Sequence, residues 1–417
     1  MRAVLRKGYW QFLYVLAYLW RRLLWRTTFI AITGSVGKTT TKECLFAILR
    51  AHSRTAKTLN NQNDYAGVPA SILRVRPWHR FGVIEVGTVR PGLIRRSARL
   101  VRPDIAVVLA VARTHTTAFA TLEETAAEKA ELLAAVPRSG VAILNASDPQ
   151  VQKMADGCRC EVRTFGLCEG LDLWADEISS QWPARLTLKA HTVSDTLRVE
   201  TNLVGVHWVN AVLAALSAAL ACGIPLKTAA AEIARVRPFT ARMQPVLLPS
   251  GATLIRDEGN GSPDTLTAAF RFLGDSIATR RILVLSDLSD SRKRPRDRLK
   301  EIGKIAAGVA DSAMFVGEHG KYAVKAAVAA GMPPESVRSV VNLPEAARYL
   351  KSTLRAGDVV LLKGRGTDHL SRIVLAQFGE IGCWKFTCLK TILCDLFDQL
   401  RPEFDLRSAL PAESRRS

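Results

Sequence analysis

The chain has 417 residues, of which 48% are hydrophobic, and its formal net charge at pH 7 is +20. This length and composition indicate two or three globular domains with separate cores. Eight cysteines without the spacing of a disulfide framework, and no apparent cleavable signal peptide, exclude a small secreted scaffold and favour a reducing cytoplasm. The charge favours an anionic partner, which could be a phosphorylated substrate, an anionic lipid surface or nucleic acid.

Residues 1–28 form a basic and aromatic N-terminal segment. Its apolar run, residues 10–20, is flanked by Arg2, Arg6 and Lys7 on one side and by Arg21, Arg22 and Arg26 on the other. The run is too short to span a bilayer, which takes about 20 residues. We predict a helix within residues 1–26 that either lies in an anionic membrane interface or packs on the surface of the protein or of a partner. No acidic residue precedes Glu43, which slightly favours lipid.

Residues 29–41 run from an apolar strand into a glycine turn and then into a helix that continues to about Arg50. The candidate nucleotide-binding residues of this turn are Gly34, Ser35, Val36, Gly37, Lys38, Thr39 and Thr40. Glycines let backbone N–H groups approach phosphate oxygens, the helix N-terminus attracts anions, and Lys38 adds a mobile cation. A hydroxyl of Thr39 or Thr40 can hold Mg²⁺. This shorter variant of the common P-loop predicts binding of ATP and Mg²⁺; the alternative is a turn that only connects strand and helix.

Residues 29–237 are predicted to form an α/β domain with a mostly parallel sheet, because short apolar runs alternate with helical patterns. Strands are expected at 29–33, 55–59, 81–86, 105–111, 141–144 and 162–165, helices at 38–50 and 122–135, short antiparallel strands within 171–203, and a helical pair at 207–222 and 227–236. In such sheets, ligands bind beyond the carboxyl ends of the parallel strands.

Two polar residues lie at this predicted edge of the sheet. Glu85 ends a buried strand, where a carboxylate is costly unless it coordinates a cation or accepts strong hydrogen bonds, and Mg²⁺ suits it. His115 follows the strand at 105–111 and can reach the same edge. We predict that both coordinate metal, against the alternatives of a structural glutamate and of a surface or core histidine. Lys129 is by default a solvated charge.

Residues 238–378 repeat the alternation and predict a smaller, Rossmann-like second domain. After a linker at Arg237 and Pro238, strands are expected at 253–255, 282–285, 313–316, 337–341 and 359–362, with helices between them. Residues 379–417 form a tail that contains Cys383, Cys388 and Cys394. These cysteines lack the close pair that is typical of zinc sites, so buried thiols are favoured over a metal site.

The ordered set of motifs resembles the Mur ligases, and among them the members that add D-alanyl-D-alanine to a muramoyl tripeptide. The matching segments are residues 33–40, 60–69, 85–87, 115, 128–132, 144–148, 205–207, 241–242 and 363–364. A P-loop alone would be weak evidence, whereas this series extends from about residue 29 to 373. The resemblance implies an ATP-dependent amide ligase with a central ATPase domain and a mobile C-terminal domain. In such enzymes a substrate carboxylate attacks the γ-phosphate, and an amine then attacks the acyl phosphate.

The resemblance also implies roles for individual residues at matching positions. Lys38 and Thr39 would hold phosphate and Mg²⁺, and Glu85 and His115 would coordinate the metal. Lys129 aligns with a lysine that is often carbamoylated, so Lys38, His115 and Lys129 are the catalytic candidates. The candidates for nucleotide contact from the second domain are Arg242, Asp257 and Asn260, and those for substrate contact are Asn61, Asn63 and Lys363.

The sequence departs from the family pattern in two regions. Such enzymes usually begin with a domain that binds the UDP-sugar end of the substrate, whereas about 28 residues precede the first strand here, so we expect that part to be missing. In the second domain, segments 257–263, 286–291 and 363–366 differ from the usual motifs. The pattern therefore indicates retained nucleotide contacts and altered acceptor contacts.

We expect an enzyme that joins an amino acid or dipeptide to a carboxylate, with D-alanyl-D-alanine addition in peptidoglycan precursor synthesis as the nearest reaction. Two alternatives stay open: a divergent ligase for a membrane-held or other envelope substrate, and a non-catalytic ATP-binding scaffold. A nucleic acid partner is not expected, since no recognition motif for one is apparent. The expected location is the cytoplasm, with the inner face of the membrane as an option for residues 1–26.

Overall fold

The computed structural model describes residues 2–112, 118–259, 261–288, 293–385 and 394; within these ranges it describes side chains from residue 9 onward, except at position 264. The chain divides into two compact units. Unit 1 comprises Met1–Ser179, Thr187–Thr201 and His207–Val236, and unit 2 comprises Ser180–Leu186, Asn202–Val206 and the chain from Arg237 onward. The order of the predicted elements gave no sign that two short segments before Arg237 belong to unit 2.

Unit 1 is an α/β unit with one large sheet. Its strands are β1 (Thr28–Thr33), β2 (Thr55–Lys57), β3 (Phe81–Glu85), β4 (Ile105–Val108), β5 (Val141–Asn145), β6 (Glu161–Gly166), β7 (Leu173–Ser179), β8 (Thr187–Thr192) and β9 (Thr196–Glu200). Its helices are α1 (Arg2–Leu23), α2 (Lys38–His52), α3 (Gly67–Arg74), α4 (Leu93–Val101), α5 (Leu122–Ala130), α6 (Pro149–Gln152), α7 (Val209–Ala221) and α8 (Leu226–Ala234).

The strand order in this sheet is β2-β3-β1-β4-β5-β6-β7-β8-β9. Strand β8 is antiparallel to its neighbours β7 and β9, and the other neighbouring pairs are parallel. The expected antiparallel strands therefore extend the parallel sheet, which the sequence alone did not indicate. The register pairs Ile32 of β1 with Glu85 of β3, and Thr33 of β1 with Val108 of β4. The turn after β1 and the Glu85 carboxylate thus lie at one edge of the sheet.

Burial explains why the central strands read as continuous apolar runs. Residues of β1, β3 and β4 are buried on both faces, as parallel strands covered by helices usually are. Strand β4 is shorter than predicted because the backbone after Val108 leaves the strand and bonds to neighbouring loops: Ala110 O accepts from Ser35 N, and Val111 N donates to Asp148. Helices α3 and α4 were not predicted, since each is short and lies between strong strand signals.

Unit 2 contains a second, smaller α/β sheet. Its strands are β10 (Gln244–Leu247), β11 (Thr253–Asp257), β12 (Arg280–Leu285), β13 (Ser312–Val316), β14 (Val337–Val340) and β15 (Asp358–Lys363), and its helices are α9 (Pro263–Asp275), α10 (Pro295–Val309), α11 (Gly320–Ala329), α12 (Leu343–Thr353) and α13 (Ser371–Phe378). The strand order is β10-β11-β15-β12-β13-β14, and only β10 among these is antiparallel to its neighbour. The predicted α/β class is confirmed for both units, although β10 was missed.

Helix α1 packs against α3 and α4 of unit 1, with Ala17 and Leu24 buried in the core of that unit. This packing on the protein's own surface is one of the two arrangements that the sequence left open. Among the described helices, none combines the length and the apolar character that are needed to cross a membrane.

Candidate active site

The turn between β1 and α2 has the backbone geometry of an anion cradle. Gly34 has φ 150° and Gly37 has φ 85°, and Gly37 is the residue from which α2 begins. A Cβ on Gly34 would lie 2.8 Å from Cβ of Leu109, so only glycine fits this approach to the chain after β4. Ser35 fixes the turn from the other side, because its Oγ accepts from Ala112 N at 2.9 Å. The first N–H groups of α2, which have no acceptor four residues earlier in the helix, are thus presented at the edge of the sheet.

Lys38 bends back over this turn. Its Nζ donates to Gly34 O at 2.6 Å and to Ser35 O at 3.2 Å. The predicted phosphate-binding residues therefore meet here, with Val36 partly exposed and Thr40 buried at the start of the helix. The ammonium group rests on backbone carbonyls of the turn, which are weaker partners than phosphate oxygens would be.

The carboxylate of Glu85 lies beside this turn and is 1% exposed. Thr39 Oγ1 donates to it from 3.2 Å, and Asn63 Nδ2 donates to Oε1 at 2.6 Å. A hydroxyl, a carboxylate and an amide that converge in this way form an oxygen-rich set that suits Mg²⁺. The sequence predicted Thr39 and Glu85 as metal ligands and Asn63 as a substrate contact, and the structure brings all three together.

Lys42 is the residue that sequence reasoning missed in this cluster. It is fully buried, its Nζ lies 3.6 Å from Oε2 of Glu85 and 3.1 Å from Oε1 of Glu43, and it donates to Asn60 O. Lys42 thus supplies a counter-charge to the buried Glu85. The available signal was its spacing, since a residue four positions after Lys38 lies on the same face of α2.

Lys129 is buried rather than solvated, with 3% of its surface exposed. Burial first, and the positive charge of Lys38 second, lower the pKa of Lys129 to about 7. Its neighbour Glu128 accepts from Gly92 N and Ile94 N, both at 2.8 Å, and so binds the N-terminus of α4. The default reading of Lys129 as a surface charge is therefore wrong, and a neutral amine is accessible near pH 7.

Three predicted site residues cannot be added to this cluster. His115 and Asn260 lie outside the described residues. Asn61 is exposed, and its carbonyl oxygen accepts from Asn63 N at 2.8 Å. Within the described part of the chain, no group of three His, Cys, Asp or Glu residues is placed to hold a metal, so the metal set predicted with His115 stays a prediction.

In unit 2, Lys363 and Asp257 form a buried ion pair at the ends of β15 and β11. Lys363 Nζ lies 2.6 Å from Oδ2 of Asp257, and Oδ1 of Asp257 accepts from Met243 N at 3.3 Å. Arg242 is partly exposed and immediately precedes Met243, whose N–H donates to Asp257. The predicted nucleotide and substrate contacts Arg242, Asp257 and Lys363 are therefore neighbours.

A cavity of about 300 Å³ lies in unit 2 at the carboxyl ends of β12, β13 and β15. Charged side chains of both signs line it. Ser286 Oγ donates to Asp368 Oδ2 at 2.6 Å, Arg365 Nη2 donates to Asp368 Oδ1 at 2.8 Å, and Arg365 Nη1 lies 3.7 Å from Asp287. Sequence reasoning marked segments 286–291 and 363–366 as departures from a family pattern, but it did not predict a cavity between them.

The tail thiol Cys394 is buried elsewhere, 3.4 Å from His369 Nδ1, and Cys388 lies outside the described residues.

Comparisons with known proteins agree with this arrangement. The family description "Mur ligase middle domain" matches residues 32–219, and "Mur ligase, glutamate ligase domain" matches residues 241–366. The UDP-N-acetylmuramoyl-tripeptide--D-alanyl-D-alanine ligase of Mycobacterium tuberculosis is 30% identical over 376 residues, which cover 85% of this chain and 74% of the relative.

Two solved structures show the same architecture. MurF from Acinetobacter baumannii is 25% identical with a TM-score of 0.80, and the match covers 87% of this chain and 79% of that one. MurF from Thermotoga maritima in complex with ADP is 21% identical with a TM-score of 0.76, covering 88% of this chain and 82% of that one. The second likeness is one of fold alone.

Proposed function

The chain belongs to the Mur ligase family, and we propose that it is an ATP-dependent, ADP-forming ligase that joins a carboxylate to an amine, favouring D-alanyl-D-alanine as the amine and a peptidoglycan precursor as the carboxylate. The observation that carries the proposal is the cradle in unit 1. Gly34, Gly37 and Lys38 offer an anion site, and the following residue, Thr39, donates to the buried Glu85 carboxylate at 3.2 Å. Together these groups suit a nucleoside triphosphate and its cation.

The proposed reaction has two steps. An acceptor carboxylate oxygen attacks the γ-phosphorus of ATP, which forms an acyl phosphate and breaks the bond to the bridging oxygen of ADP. The amine nitrogen then attacks the acyl carbon, phosphate leaves, and the nitrogen loses a proton. Two anions must approach each other in the first step, so the main task of the protein is to orient them and to offset their repulsion.

Lys38 is proposed to move from the carbonyls of Gly34 and Ser35 to phosphate oxygens, because charge-assisted bonds to phosphate are stronger. Thr39 and Glu85, with His115, are proposed to hold Mg²⁺, while Asn63 orients the Glu85 carboxylate. The ion, when bound, supplies positive charge at the phosphate oxygens.

Lys129 is proposed to act as a carbamate. The neutral amine nitrogen attacks the carbon of carbon dioxide and releases a proton to solvent, and a pKa of about 7 keeps a large fraction of Lys129 neutral at physiological pH. Loss of the positive charge would also relieve the repulsion between Lys129 and Lys38. The product would be a carboxylate that can face the metal.

In unit 2, we propose that the nucleotide contacts Arg242, Asp257 and Asn260, and that the substrate contacts Lys363. In unit 1, we propose Asn61 and Asn63 as further substrate contacts. The cavity with Asp287, Arg365 and Asp368 suits a small zwitterion, since it carries both signs of charge at the carboxyl ends of parallel strands. We propose it as the place of the amine donor.

A second candidate is ligation to a carboxylate that is held at a membrane. The apolar face that α1 exposes favours it. A third candidate is a scaffold that binds ATP without turnover. The phosphate-release experiment described next also tests this candidate.

The decisive experiment measures phosphate release from ATP and Mg²⁺ in the presence of candidate carboxylates and amines, separately and together. Release that requires both substrates supports a ligase, and we expect Lys38→Ala to lower it by about 10³-fold. The matched control is Lys153→Ala, which removes an exposed lysine of the same unit and should leave the rate unchanged. ATP binding by calorimetry without release under any substrate pair would favour the scaffold.

A further inference from the structure

Helix α1 is fixed to unit 1 by specific contacts of its inner face. Arg21 Nε donates to Val101 O at 2.6 Å and its Nη2 to Arg102 O at 2.7 Å, so the guanidinium group binds the C-terminal carbonyls of α4. Trp20 Nε1 donates to Val75 O at 2.8 Å, and Tyr14 OH to Arg96 O at 3.3 Å. These bonds, made by three residues spread over two helical turns, hold the helix in one rotational orientation.

The opposite side of α1 is apolar and uncovered among the described residues. Its members, here called the outer face, are Tyr9, Phe12, Val15, Leu16, Leu19 and Leu23, each between 42% and 64% exposed. At 3.6 residues per turn they fall within an arc of about 120°. Scattered exposed leucines are ordinary, but a continuous apolar stripe on a helix that is already anchored indicates an interaction surface.

Exposed aromatic and basic side chains lie in the two segments next to the C-terminal end of this stripe. Trp25 is 74% exposed and Trp78 is 61% exposed, and a bond from Thr27 Oγ1 to His79 O links the two segments. The exposed arginines of these segments are Arg22, Arg26, Arg76 and Arg80. No acidic residue occurs in residues 1–42, so the charged side chains that α1 and the segment after it contribute here are all basic.

We infer that the outer face of α1, together with Trp25 and Trp78, docks on the surface of an anionic lipid bilayer. Apolar side chains enter the boundary of the acyl region, tryptophans favour the level of the headgroups, and arginines meet anionic lipid. A second copy of the chain fits the charges less well, because a symmetric contact through this face would bring arginines of the same sign together. The inference does not depend on the ligase reaction.

The test is co-sedimentation of the full chain with two kinds of vesicle, phosphatidylcholine alone and phosphatidylcholine mixed with phosphatidylglycerol. We expect binding to the mixed vesicles to be at least about tenfold tighter, and to weaken as salt is added. Replacement of Leu19 and Leu23 by glutamine should weaken binding by about tenfold or more, since two apolar side chains no longer enter the bilayer.

The matched control replaces Ile277 and Ile305, exposed isoleucines of unit 2, by glutamine and should leave vesicle binding unchanged. A second variant, with Arg22→Gln and Arg26→Gln, keeps the apolar stripe and should lose the preference for phosphatidylglycerol. The inference is overturned if the wild-type chain stays in the supernatant with mixed vesicles, or if the leucine and isoleucine pairs lose binding equally. A dimer in light scattering that the leucine variant dissociates, without vesicle binding, would instead assign the face to a second copy.

Discussion

Both sheets place charged side chains at the carboxyl ends of parallel strands, but these side chains have different partners. In unit 1, Lys38 donates to backbone carbonyls, and Glu85 accepts from a hydroxyl and an amide, with the Lys42 ammonium 3.6 Å away as a more distant counter-charge. In unit 2, Lys363 is paired with Asp257, and Arg365 with Asp368. The same position in an α/β fold therefore carries two kinds of polar cluster.

The difference bears on what each cluster can do without rearrangement. Phosphate oxygens and a cation can replace carbonyl, hydroxyl and amide partners at little cost, so the cluster in unit 1 is ready for ligands. Removing one member of a buried ion pair strands the other charge, so the buried Lys363–Asp257 pair fixes the ends of β15 and β11. In unit 2, the proposed ligand contacts of Asp257, Lys363 and Arg365 are therefore made by groups that already hold ion-pair partners.

The largest effect that we predict is a loss of stability in unit 2. Lys363→Met leaves the carboxylate of Asp257 buried without its cation, and we expect the free energy of unfolding to fall by about 3–5 kcal/mol. Urea denaturation followed by intrinsic fluorescence measures it. The double variant Lys363→Met with Asp257→Asn should recover much of the loss, because no charge is stranded.

Lys351→Met is the control for Lys363→Met, since Lys351 is an exposed lysine of the same unit. It should change stability by less than about 0.5 kcal/mol. If Lys363→Met lowered the free energy of unfolding as little as Lys351→Met, the Lys363–Asp257 pair would not fix the ends of β15 and β11. The contrast between the two units would then fail.

The next effect concerns activity in unit 1. Glu85→Gln keeps the size of the side chain and an acceptor for Asn63 but removes the negative charge, so we expect phosphate release to fall by about 10²–10³-fold. Rates measured across a range of Mg²⁺ concentrations should show a weaker metal dependence. Glu169→Gln, at an exposed position, should match the wild type. A large loss of stability in Glu85→Gln with unchanged turnover would mean that Glu85 is a structural residue.

Around the candidate site, the structure that the sequence predicted correctly is local. Strand β1, the glycine turn and α2 follow one another within a few residues, so apolar pattern, glycines and helix start could be read together. Glu85 was found by the same logic, because a carboxylate at the end of an apolar strand marks the edge of a sheet. Its pairing opposite Ile32 then follows from parallel alignment.

The features that the sequence did not reveal depend on packing between distant segments. Lys42 looks like an ordinary helical lysine until Glu85 and Asn60 are placed around it. Lys129 lies on a helix with charged neighbours, and its burial follows from contacts that no local pattern records. The orientation of α1 is set by Arg21 bonding to carbonyls about eighty residues away in the chain, which periodicity cannot supply.

Lys129 offers a smaller test of the same contrast, because burial first, and the positive charge of Lys38 second, lower its pKa. Its folded-state pKa of about 7 is below its unfolded value, so the unfolded chain binds more protons between pH 7 and about 10.4. The free energy of unfolding should therefore rise with pH in that window, by at most about 1.4 kcal/mol per pH unit.

Lys129→Met should lack this slope, and urea titrations of both proteins between pH 7 and 9 measure the difference. The proposed carbamate adds a second readout: bicarbonate should raise the activity of the wild type and leave that of the variant unchanged. Equal slopes in the two proteins would show that Lys129 keeps its charge in the fold, and the neutral amine would then be scarce.

The smallest predicted effect distinguishes phosphate binding by the turn between β1 and α2 from the backbone strain of its glycine. Gly37 and Gly223 both lie in unit 1 with φ of 85° and 81°, so alanine at either position is strained and should cost about 1 kcal/mol of stability. Only Gly37 lies in the turn between β1 and α2, where a side chain would also crowd the proposed approach of phosphate to backbone N–H groups. We expect Gly37→Ala to raise KM for ATP by about tenfold, whereas Gly223→Ala should lose stability alone. If both variants bind ATP as the wild type does, the turn connects β1 to α2 without contacting phosphate, and the cluster in unit 1 has no advantage over that in unit 2.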